Sequence, residues 1–516
     1  MTLAALLERA ALRHPGADAV VDGGRRLTYG ELRARALAIG DGFGRLGVGR
    51  GDRVLIALRN RLEHVLTYWA LQLLAAVPTP VNFRLASGEL KYVLDDSGAC
   101  VVLFEDATAA AMLEATAGAA VKRVFVGDRA PDGATPFDRL AGAEGARRPP
   151  VRDGPAERDL SLILYTSGTT GRPKGVPRTH RNHYAGALAH ALQCGYAWGE
   201  RTLGVMPLYH TMGIHSLTSM AAVNGCFVCQ PDWSPAGALA RVEAERISAL
   251  YLIPTLYYDL VHAPELRHAD VSSVGKLGYA GAPMSTALTD ACARAFQPRV
   301  FVNHYGSTEI YTFSVRSDVH AKPGCAGRPG RNGALRVVAA STDRRVGPDE
   351  IVPAGEKGEI IASLASEEAF AGYWNRPDAD ARALRGGWYF TGDMGWLDEA
   401  GELWVAGRVD DMIISGGENI HPVEVEEVLA RHPGVRDVAV VGEPDARLGE
   451  RVVAFVAPAA PGLTAEALEA HCRTAADFAD FKRPRRVVFV REIPKTASGK
   501  ILRRLLRDGQ YAEIKA

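Results

Sequence analysis

One stretch, Tyr165-Thr-Ser-Gly-Thr-Thr-Gly-Arg-Pro-Lys-Gly175, sets the interpretation of the whole chain. The apolar run before it, residues 160–164, predicts a short buried strand. In the stretch itself, glycines let backbone N–H groups turn inward, hydroxyl side chains add donors, and Lys174 adds a positive charge, which together suit phosphate oxygens. The common phosphate loop G-x-x-x-x-G-K-[ST] cannot be laid on these residues. A polar hairpin turn is the alternative, so the interpretation depends on the rest of the chain.

Composition excludes several classes of protein. The 516 residues exceed one usual domain, and 47% are apolar, which permits a large core. Because 60 Lys and Arg balance 60 Asp and Glu, no overall field attracts nucleic acid or an anionic membrane. No apolar run approaches the roughly 18 residues of a membrane span, and residues 1–14 favour an amphipathic surface helix over a signal peptide. Seven scattered cysteines argue against a disulfide framework, so we expect a reducing, cytoplasmic location without membrane insertion.

The order of predicted strands and helices indicates an α/β fold. Strand and helix patterns alternate over the first 150 residues, which favours parallel βαβ units with helices on both faces. Thr179 is a plausible N-cap for a helix that runs to about Gln193. Predicted strands at 250–253, 277–279 and 300–305 each end in a polar or glycine-rich turn. Ligands bind at the carboxyl ends of strands in open α/β sheets, so we expect these turns to meet at one cleft.

The pattern changes near Gly324, where short strands and glycine turns favour antiparallel sheet. A charged cluster at 408–411 and a diglycine at 416–417 mark a boundary, and the pattern beyond them predicts an α+β domain of about 100 residues. We therefore predict a large N-terminal domain at 1–407, built of doubly wound βα sheets and a small antiparallel barrel-like part. A hinge at 408–413 and a small mobile C-terminal domain at 414–516 follow.

Five motifs occur in order along the chain. They are 165–175, Tyr305-Gly-Ser-Thr-Glu309, Tyr389-Phe-Thr-Gly-Asp393, Gly407-Arg-Val-Asp-Asp411 and Pro494-Lys-Thr-Ala-Ser-Gly-Lys500. On these motifs the chain resembles, over essentially its whole length, the adenylate-forming superfamily of acyl-CoA synthetases, peptide-synthetase adenylation domains and firefly luciferase. Residues 407–421 and 479–484 are most similar to the aryl-CoA ligases of the 4-chlorobenzoate type.

The resemblance implies two half-reactions that use ATP, Mg²⁺ and CoA. A carboxylate attacks the α-phosphorus of ATP to give acyl-AMP and pyrophosphate, and the CoA thiol then attacks the acyl carbon as AMP leaves. The residues that the resemblance assigns to ATP or AMP are Thr166, Ser167, Gly168, Thr169, Thr170, Gly171, Lys174, Gly281, Ala282, Pro283, Asn303, His304, Tyr305, Gly306, Asp393 and Arg408.

Individual roles follow from the same resemblance. Glu309 is expected to bind Mg²⁺, a hard ion that prefers carboxylate and phosphate oxygens, and Thr308 to donate to the α-phosphate. Tyr305 is expected to stack on adenine, while Asp393 accepts hydrogen bonds from the ribose hydroxyls and Arg408 donates to the ribose. Taken singly, core packing for Tyr305 and a helix N-terminal charge for Glu309 are equally reasonable. Their joint occurrence favours a site.

Lys500 is expected to bridge the substrate carboxylate and the nucleotide, and to stabilise charge in the adenylation transition state. The alternative is a solvated lysine in a basic tail, because residues 482–507 hold ten Lys and Arg against one acidic residue, Glu492. The family's two conformations imply that the small domain turns about Asp410. Lys500 would then serve adenylation only.

The second conformation would bring Gly416 and Gly417 to the pantetheine arm, where missing side chains let the thiol pass. In a second interpretation of the basic stretch 482–507, Lys482 and Arg483 contact the CoA phosphates, and Phe481 and Arg84 are further candidates for binding CoA. Leu448 is a departure, since the chlorobenzoate ligase has a tryptophan there that contacts CoA. The departure leaves open a different mode of CoA binding or a different thiol acceptor.

The pocket for the acid is expected around Tyr209, Met212, Gly213, Ile214, Tyr257 and Ala280, with His210 as a wall that moves with the substrate. Residues 209–213 offer no carboxylate to pair an ammonium group, which disfavours an amino acid substrate. The apolar character and small residues favour an aromatic, alicyclic or medium-length acid, and the resemblance favours an aromatic one. His215 is assigned to the core or to a second layer.

Other functions stay open at this point. A related ligase could load an acyl carrier protein, stop at acyl-AMP, or use a medium-chain or bulky polycyclic acid. A non-catalytic binding protein on this fold is disfavoured by the presence of Lys500, Asp393 and Glu309. The expected partners are a small-molecule carboxylic acid and CoA, with a carrier protein less favoured, no nucleic acid, and a monomer or homodimer.

Overall fold

The structure is a computed structural model that describes residues 1–142, 154–166, 173–341, 344–415, 418–445, 447–475, 478–496 and 499–514. Within these ranges, no helix has both the length and the hydropathy that crossing a bilayer requires.

The first 142 residues alternate helices and strands, as predicted. The helices are α1 (Leu3–Arg13), α2 (Tyr29–Arg45), α3 (Leu62–Leu74), α4 (Ser87–Ser97) and α5 (Ala109–Ala115). The strands are β1 (Asp18–Asp22), β2 (Arg25–Thr28), β3 (Arg53–Ala57), β4 (Val77–Pro80), β5 (Val101–Glu105), β6 (Lys122–Val126) and β7 (Ala134–Pro136). Five of them form an all-parallel sheet in the order β4-β3-β5-β6-β7.

Alternate residues of this sheet pack into different cores. Val54 and Ile56 of β3 join the core that includes α1, α2 and α3, while Leu55 and Ala57 join the one that includes α4 and α5. Helices therefore cover both faces, which is why the central strands are apolar throughout.

The central part of the chain begins with a hairpin of β8 (Leu160–Thr166) and β9 (Lys174–Thr179). The helices that follow are α6 (His180–Gln193), α7 (Thr211–Ala222), α8 (Pro235–Ala244), α9 (Pro254–His262) and α10 (Thr286–Phe296). The strands between them are β10 (Arg201–Gly204), β11 (Cys226–Cys229), β12 (Ala249–Leu252), β13 (Lys276–Tyr279) and β14 (Val300–Tyr305). The Thr179 side chain accepts the Asn182 N–H at 3.3 Å, which confirms the predicted N-cap of α6.

The strands β12, β13 and β14 lie side by side and parallel. Their carboxyl ends therefore meet at one edge, as predicted. The parallel run continues through β10, β11 and β1, with β2 antiparallel at the far end.

Antiparallel strands extend this same sheet beyond β14. They are β15 (Ser314–Arg316), β16 (Cys325–Pro329), β17 (Leu335–Val338), β18 (Gly358–Ser363), β19 (Leu384–Arg385), β20 (Trp388–Leu397) and β21 (Leu403–Arg408), with helix α11 (Pro377–Ala383). The path β14-β15-β16-β21-β20-β18-β17 joins them to the parallel part in one 14-stranded mixed sheet. The predicted change of texture near Gly324 is the start of this antiparallel part.

The last part of the chain has its own sheet and core. Its strands are β22 (Ile413–Ser415), β23 (Glu418–Ile420), β24 (Val435–Asp445), β25 (Gly449–Pro458) and β26 (Arg486–Phe489), and its helices are α12 (Pro422–Ala430), α13 (Ala465–Thr474) and α14 (Arg503–Arg507). The order is β23-β22-β25-β24, with β26 parallel to β25. The α/β fold class with a small α+β part is confirmed, while the boundaries at 407, 408–413 and 414 stay predictions. Short 3₁₀ helices lie at Asp106–Thr108, Phe137–Leu140, Pro264–Arg267, Val409–Asp411 and Asp480–Lys482.

Two contacts fix the small part against the large one. Lys357, just before β18, forms an ion pair with Glu424 of α12. Gly499 has φ +80°, and a Cβ there would lie 3.0 Å from Cδ1 of Ile253. Gly499, the residue before Lys500, therefore lies beside the end of β12.

Candidate active site

The β8–β9 hairpin points its described ends toward the strand edge where β14 finishes. Thr166 pairs with Lys174 in the ladder, and the Thr166 hydroxyl donates to the Lys174 carbonyl at 3.4 Å. The predicted phosphate-binding residues Ser167, Gly168, Thr169, Thr170 and Gly171 lie outside the described residues.

Lys174 and Glu309 meet across Tyr373. The Lys174 Nζ lies 4.1 Å from the centre of the Tyr373 ring, and the Tyr373 hydroxyl donates to Oε1 of Glu309 at 2.6 Å. Burial lowers the pKa of Lys174, and the nearby Glu309 carboxylate partly offsets this effect. The hairpin and the glutamate thus face the same cleft.

The turn at Thr308 and Glu309 is held from two sides. From β9, the buried guanidinium of Arg178 donates through Nη1 to the carbonyls of Thr308 at 3.1 Å and Glu309 at 3.0 Å. From the other side, the Phe370 N–H donates to the Glu309 carbonyl at 2.9 Å. Burial lowers the pKa of Arg178 to about 10. We describe this pair of contacts as the turn clamp.

Further along the turn, Glu368 accepts the Thr312 N–H at 3.1 Å and the Asn332 side chain at 3.0 Å. Burial raises the pKa of Glu368, against the opposing effect of Arg178. Arg178, Glu368 and Tyr373 are positioning residues that the motifs do not name. No strand is predicted at 174–179, and the charge of Arg178, next to the predicted cap residue Thr179, is the one sequence signal that could have pointed to it.

Asp393 and Arg408 lie opposite each other on β20 and β21. Arg408 donates to Oδ1 of Asp393 at 2.7 Å and to the Thr391 carbonyl at 3.0 Å, and the Tyr305 hydroxyl donates to Oδ2 of Asp393 at 2.6 Å. Burial opposes the charge of Arg408, but Asp393 outweighs it, so the pKa of Arg408 is raised. The three side chains form one hydrogen-bonded unit at the edge of the cleft.

Lys500 approaches this unit from the small domain. Its backbone N–H donates to the Thr496 hydroxyl at 3.1 Å, which closes the loop that carries it. Burial, followed by repulsion from Arg408, lowers the pKa of Lys500, while Asp393 acts in the opposite direction. The structure therefore places Lys500 within electrostatic range of Asp393 and Arg408, the candidate ribose residues.

The remaining residues predicted to bind the nucleotide differ in exposure and in the reason for their residue type. Gly281 (φ +86°), Ala282 and Pro283 follow β13 and are at least partly exposed. At Gly306 a Cβ would meet the Tyr311 carbonyl at 1.9 Å, so the turn requires glycine.

Two side chains on β14 are tied to the protein itself. Asn303 donates to the Cys325 carbonyl at 3.2 Å. The prediction for His304 is wrong for its side chain, because alternation along β14 turns the ring away from Tyr305 and into the core beside His190.

His210 and Tyr209 stand where α7 begins. The His210 Nδ1 accepts the Met212 N–H at 3.3 Å, and burial lowers the pKa of His210 to about 4, so the ring is neutral near pH 7. Tyr209 packs edge-on against Phe83 at 5.9 Å, and among the described residues its buried hydroxyl has no hydrogen-bond partner. Burial raises the pKa of Tyr209 to about 12.

Four of the expected acid-pocket residues do not offer side-chain surface. Tyr257 is 0% exposed and donates to the Leu250 and Gly278 carbonyls, both at 2.9 Å, so the prediction that it lines the pocket is wrong. Met212 and Ile214 are buried in two separate cores. Gly213 is small because a Cβ would lie 2.2 Å from the Pro207 carbonyl, and substrate size does not explain it.

The part-exposed acid-pocket candidates are therefore Tyr209, His210 and Ala280.

The CoA candidates are also divided. Phe481 is 40% exposed, and Arg84 is exposed with its guanidinium 5.1 Å from the Phe83 ring centre. Lys482 is paired with Glu424 at 2.6 Å. Arg483 is buried and held by Glu469 at 2.9 Å and Asp480 at 2.8 Å. Since all three belong to the small domain, turning that domain does not free Arg483, and its prediction as a phosphate ligand is wrong for this structure.

Three further predictions concern the linker and its neighbour. Gly416 and Gly417 lie outside the described residues, as does the side chain of Asp410. Leu448 is part-buried, and its backbone N–H donates to Oδ1 of Asp445 at 2.9 Å.

Comparison with known proteins gives a consistent result. The family model for AMP-binding enzymes matches residues 7–374, and the model for the AMP-binding enzyme C-terminal domain matches residues 424–500. A 4-chlorobenzoate–CoA ligase from Arthrobacter sp is 33% identical over 508 residues, which cover 98% of this chain and 94% of that protein. A feruloyl-CoA synthase from Amycolatopsis sp is 36% identical over 501 residues, 96% of each chain.

Among solved structures, the anthranilate CoA ligase AuaEII in complex with anthranoyl-AMP superposes with a TM-score of 0.88 and 27% identity, covering 99% of this chain and 97% of that chain. The chain belongs to the AMP-binding enzyme family, and within it to the AMP-forming acyl-CoA ligases.

Proposed function

We propose that the protein activates an aromatic carboxylic acid as acyl-AMP and then transfers the acyl group to CoA. In the first step the carboxylate oxygen bonds to the α-phosphorus of ATP and pyrophosphate leaves. In the second, the CoA sulfur bonds to the acyl carbon, the thiol proton is released, and AMP leaves. The observation that supports this proposal is the approach of Lys500 to the Asp393–Arg408–Tyr305 unit, with Glu309 and Lys174 in the same cleft.

The carboxylate of Glu309 suits a hard cation such as Mg²⁺. It is 6% exposed, and the Tyr373 hydroxyl occupies a lone pair of Oε1, which leaves Oε2 for a cation. A bound Mg²⁺ would offset negative charge on the pyrophosphate as it leaves. The turn clamp fixes the backbone of Thr308 and Glu309, so both side chains are oriented before the nucleotide binds.

Asp393 is proposed to accept the ribose hydroxyls. A carboxylate offers about four lone-pair positions, and Arg408 and Tyr305 each use one, so two stay available. The two donors also fix the carboxylate plane. The bond to Asp393 also fixes the position of the Tyr305 hydroxyl, and the Tyr305 ring is proposed to stack on adenine.

Lys500 is proposed to hold the attacking carboxylate against the α-phosphate, because its ammonium can stabilise charge that develops on both. The small domain is then proposed to turn about Asp410 for the second step. The test is Lys500→Ala with synthetic acyl-AMP and CoA. Thioester formation should survive while adenylation is lost, and an equal loss of both contradicts this division of labour.

An aromatic acid is supported by the part-exposed rings at the candidate pocket and by the relatives. Tyr209 and the neutral His210 present aromatic edges at the start of α7. The named relatives act on 4-chlorobenzoate, a feruloyl group and anthranilate. Among the residues described at the start of α7, 209–213, none carries a carboxylate, which still disfavours an amino acid.

Free CoA is proposed as the thiol acceptor. The exposed Phe481 and Arg84 are the described side chains that can reach it. Loading of an acyl carrier protein is the second candidate, favoured only by Leu448 in place of tryptophan.

The deciding experiment is a panel of carboxylic acids assayed for pyrophosphate release, with and without CoA, on wild type and Glu309→Gln. We expect acid-dependent pyrophosphate release that CoA accelerates and that Glu309→Gln abolishes. Pyrophosphate exchange without CoA-dependent AMP release favours a carrier protein. No ATP consumption with any acid contradicts the function.

A further inference from the structure

The segments that carry the candidate site residues also contribute to a buried group of rings that the proposed reaction does not use. We call it the histidine–tyrosine cluster, and its members are His183, His190, His215, Tyr251, His304 and Tyr311. Ring centres lie 3.5 Å apart for His215 and Tyr311, 4.5 Å for His190 and Tyr251, and 5.4 Å for His190 and His304. All six side chains are buried.

The cluster is continuous with the segments that build the candidate site. His215 follows one turn after Thr211 on α7, so the two share a helix face. His304 directly precedes Tyr305 on β14, and Tyr311 comes two residues after Glu309. Three separate segments that carry candidate site residues therefore also contribute a buried ring to this one cluster.

The hydrogen bonds of His304 fix where its proton lies. The Gln193 side-chain oxygen accepts the Arg331 N–H at 3.0 Å, so the amide nitrogen of Gln193 is the group that faces Nε2 of His304 at 3.3 Å. Nε2 must then accept, and a neutral imidazole carries its proton on Nδ1. Among the described residues, that buried Nδ1 has no hydrogen-bond partner. A buried donor without an acceptor is unfavourable, so this nitrogen needs an acceptor.

A second histidine of the cluster, His215, also has a ring nitrogen, its buried Nδ1, without a hydrogen-bond partner among the described residues. Burial lowers the pKa of His215 well below its usual value, and nearby His183, His190 and Arg178 lower it further. The charge of Arg178 is balanced by Glu368 and Glu309. The cluster is therefore neutral near pH 7 and lacks a spare positive charge for a second buried carboxylate.

We propose that the histidine–tyrosine cluster recognises a neutral oxygen, in a hydroxyl, alkoxy or carbonyl group, at the end of the acid remote from its carboxylate. The Nδ1–H of His304 donates to this oxygen, and Nδ1 of His215 is the second contact. This inference rests on the proposed function, since it describes the inner end of the same acid site. It narrows the aromatic acids to those that carry such a group.

A metal ion is the other group such rings could hold. His190, Cys194 and His304 each place one ligand atom within 4.8 Å of the others. However, the Gln193 amide donates to Nε2 of His304 and thereby keeps a proton on Nδ1, so neither nitrogen of that ring offers a lone pair to a metal. Burial also raises the pKa of the Cys194 thiol, whereas a metal requires the thiolate. These observations favour an organic acceptor.

The test compares acids that differ only at the remote end. Three matched sets are benzoate, 4-methylbenzoate and 4-hydroxybenzoate; cinnamate with its 4-methyl and 4-hydroxy forms; and octanoate, nonanoate and 8-hydroxyoctanoate. The readout is kcat/KM for pyrophosphate exchange. In the set of acids with the highest kcat/KM, we expect the value for the hydroxyl form to exceed that for the methyl form by about tenfold or more. The reason is that a site built to donate a hydrogen bond to oxygen rejects the analogue that lacks this oxygen.

Variants then assign the preference to the cluster. His304→Leu should bring the hydroxyl-to-methyl ratio to about one, whereas His304→Gln, which keeps a donor, should retain part of it. His215→Phe should lower the ratio. His262→Leu, an exposed histidine on α9, is the matched control and should leave the ratio unchanged. Because the readout is a ratio, a general loss of activity does not mimic the result, and if His304→Leu fails to fold, the other two variants decide.

Each outcome bears on one proposal. Acids activated with equal efficiency with and without the remote oxygen overturn this inference and leave the proposed function intact. So does a preference that survives in folded His304→Leu, or one stoichiometric metal ion per chain by mass spectrometry. Failure to activate any acid overturns the proposed function first.

Discussion

Replacing Arg178 by methionine tests whether the turn clamp holds Thr308 and Glu309 in place. The buried guanidinium donates to two carbonyls, at 3.1 and 3.0 Å. Hydrogen bonds to charged groups contribute about 1.5–3 kcal/mol each. Methionine keeps most of the packed stem, and the Phe370 N–H still donates to the Glu309 carbonyl. Burial also opposes the charge of Arg178. We therefore expect the free energy of unfolding to fall by about 3 kcal/mol, toward the lower end of the summed bonds.

The catalytic effect should be larger on one half-reaction. If the turn shifts by about 1 Å, adenylation should slow by roughly 100-fold, since misplacement on this scale is known to cost that much. The Mg²⁺ concentration for half-maximal adenylation should rise, because Glu309 loses its fixed position. Thioester formation from synthetic acyl-AMP needs no magnesium-bound triphosphate and should stay within about threefold of wild type.

The assays are urea unfolding, magnesium titration of pyrophosphate exchange, and single-turnover thioester formation. Arg181→Met is the matched control, since Arg181 lies on the exposed face of α6 and pairs with Glu367. A surface pair contributes about 0–1 kcal/mol, so this variant should behave nearly as wild type. Wild-type stability in Arg178→Met, or equal loss in both half-reactions, refutes the reasoning.

Three other charged or titratable groups give further tests. Burial and Arg408 lower the pKa of Lys500, so kcat/KM for adenylation should decline as pH rises through a value below the ordinary 10.5. The same decline in thioester formation would contradict a role of Lys500 in adenylation alone. Lys357→Met removes the ion pair with Glu424 that joins the two domains. Because the pair is half-exposed, its loss should slow adenylation by about twofold to fivefold and leave thioester formation unchanged. An unchanged rate of adenylation argues against a role for that contact. His304 has a pKa of about 3, below the roughly 6.5 of an unfolded histidine, so only the unfolded chain gains a proton there as pH falls below 6.5. The free energy of unfolding should therefore fall by up to about 1.4 kcal/mol per pH unit between pH 6.5 and pH 3 because of this one histidine. The variant His304→Leu should show a shallower fall in urea unfolding below pH 6.5, and the same fall as in wild type contradicts the assignment.

Elements with a local signal were predictable from the sequence. Thr179 and Asn182 stand at the spacing of a helix cap, and the structure starts α6 there. The three strand ends β12, β13 and β14 were expected to meet, and they are neighbours in the sheet. Strand β6 is not signalled in the same way, because its apolar run is only three residues long after Lys122 and Arg123.

The direction of side chains was harder to predict than the elements that carry them. Tyr257 follows a strand end that does border the cleft, yet its ring turns into the core. Tyr373 was missed because the carboxylate it contacts is 64 residues away in the chain. Arg483 belongs to a basic stretch, but acidic partners in its own domain neutralise it. Sequence spacing specifies helices and strands, whereas these three outcomes depend on packing between distant segments.

Asp411 would limit the proposed turning of the small domain. Its carboxylate is bound by Arg503 at 3.3 Å and Arg507 at 2.7 Å, both on α14. Asp411 therefore travels with that domain, while Arg408 is held to Asp393 in the large sheet. Only Val409 and Asp410 stand between these anchors, and the three residue steps from Arg408 to Asp411 span at most about 11 Å. A tether this short permits a large change of orientation but almost no change of separation, so any second arrangement must reuse the same rim of the large domain.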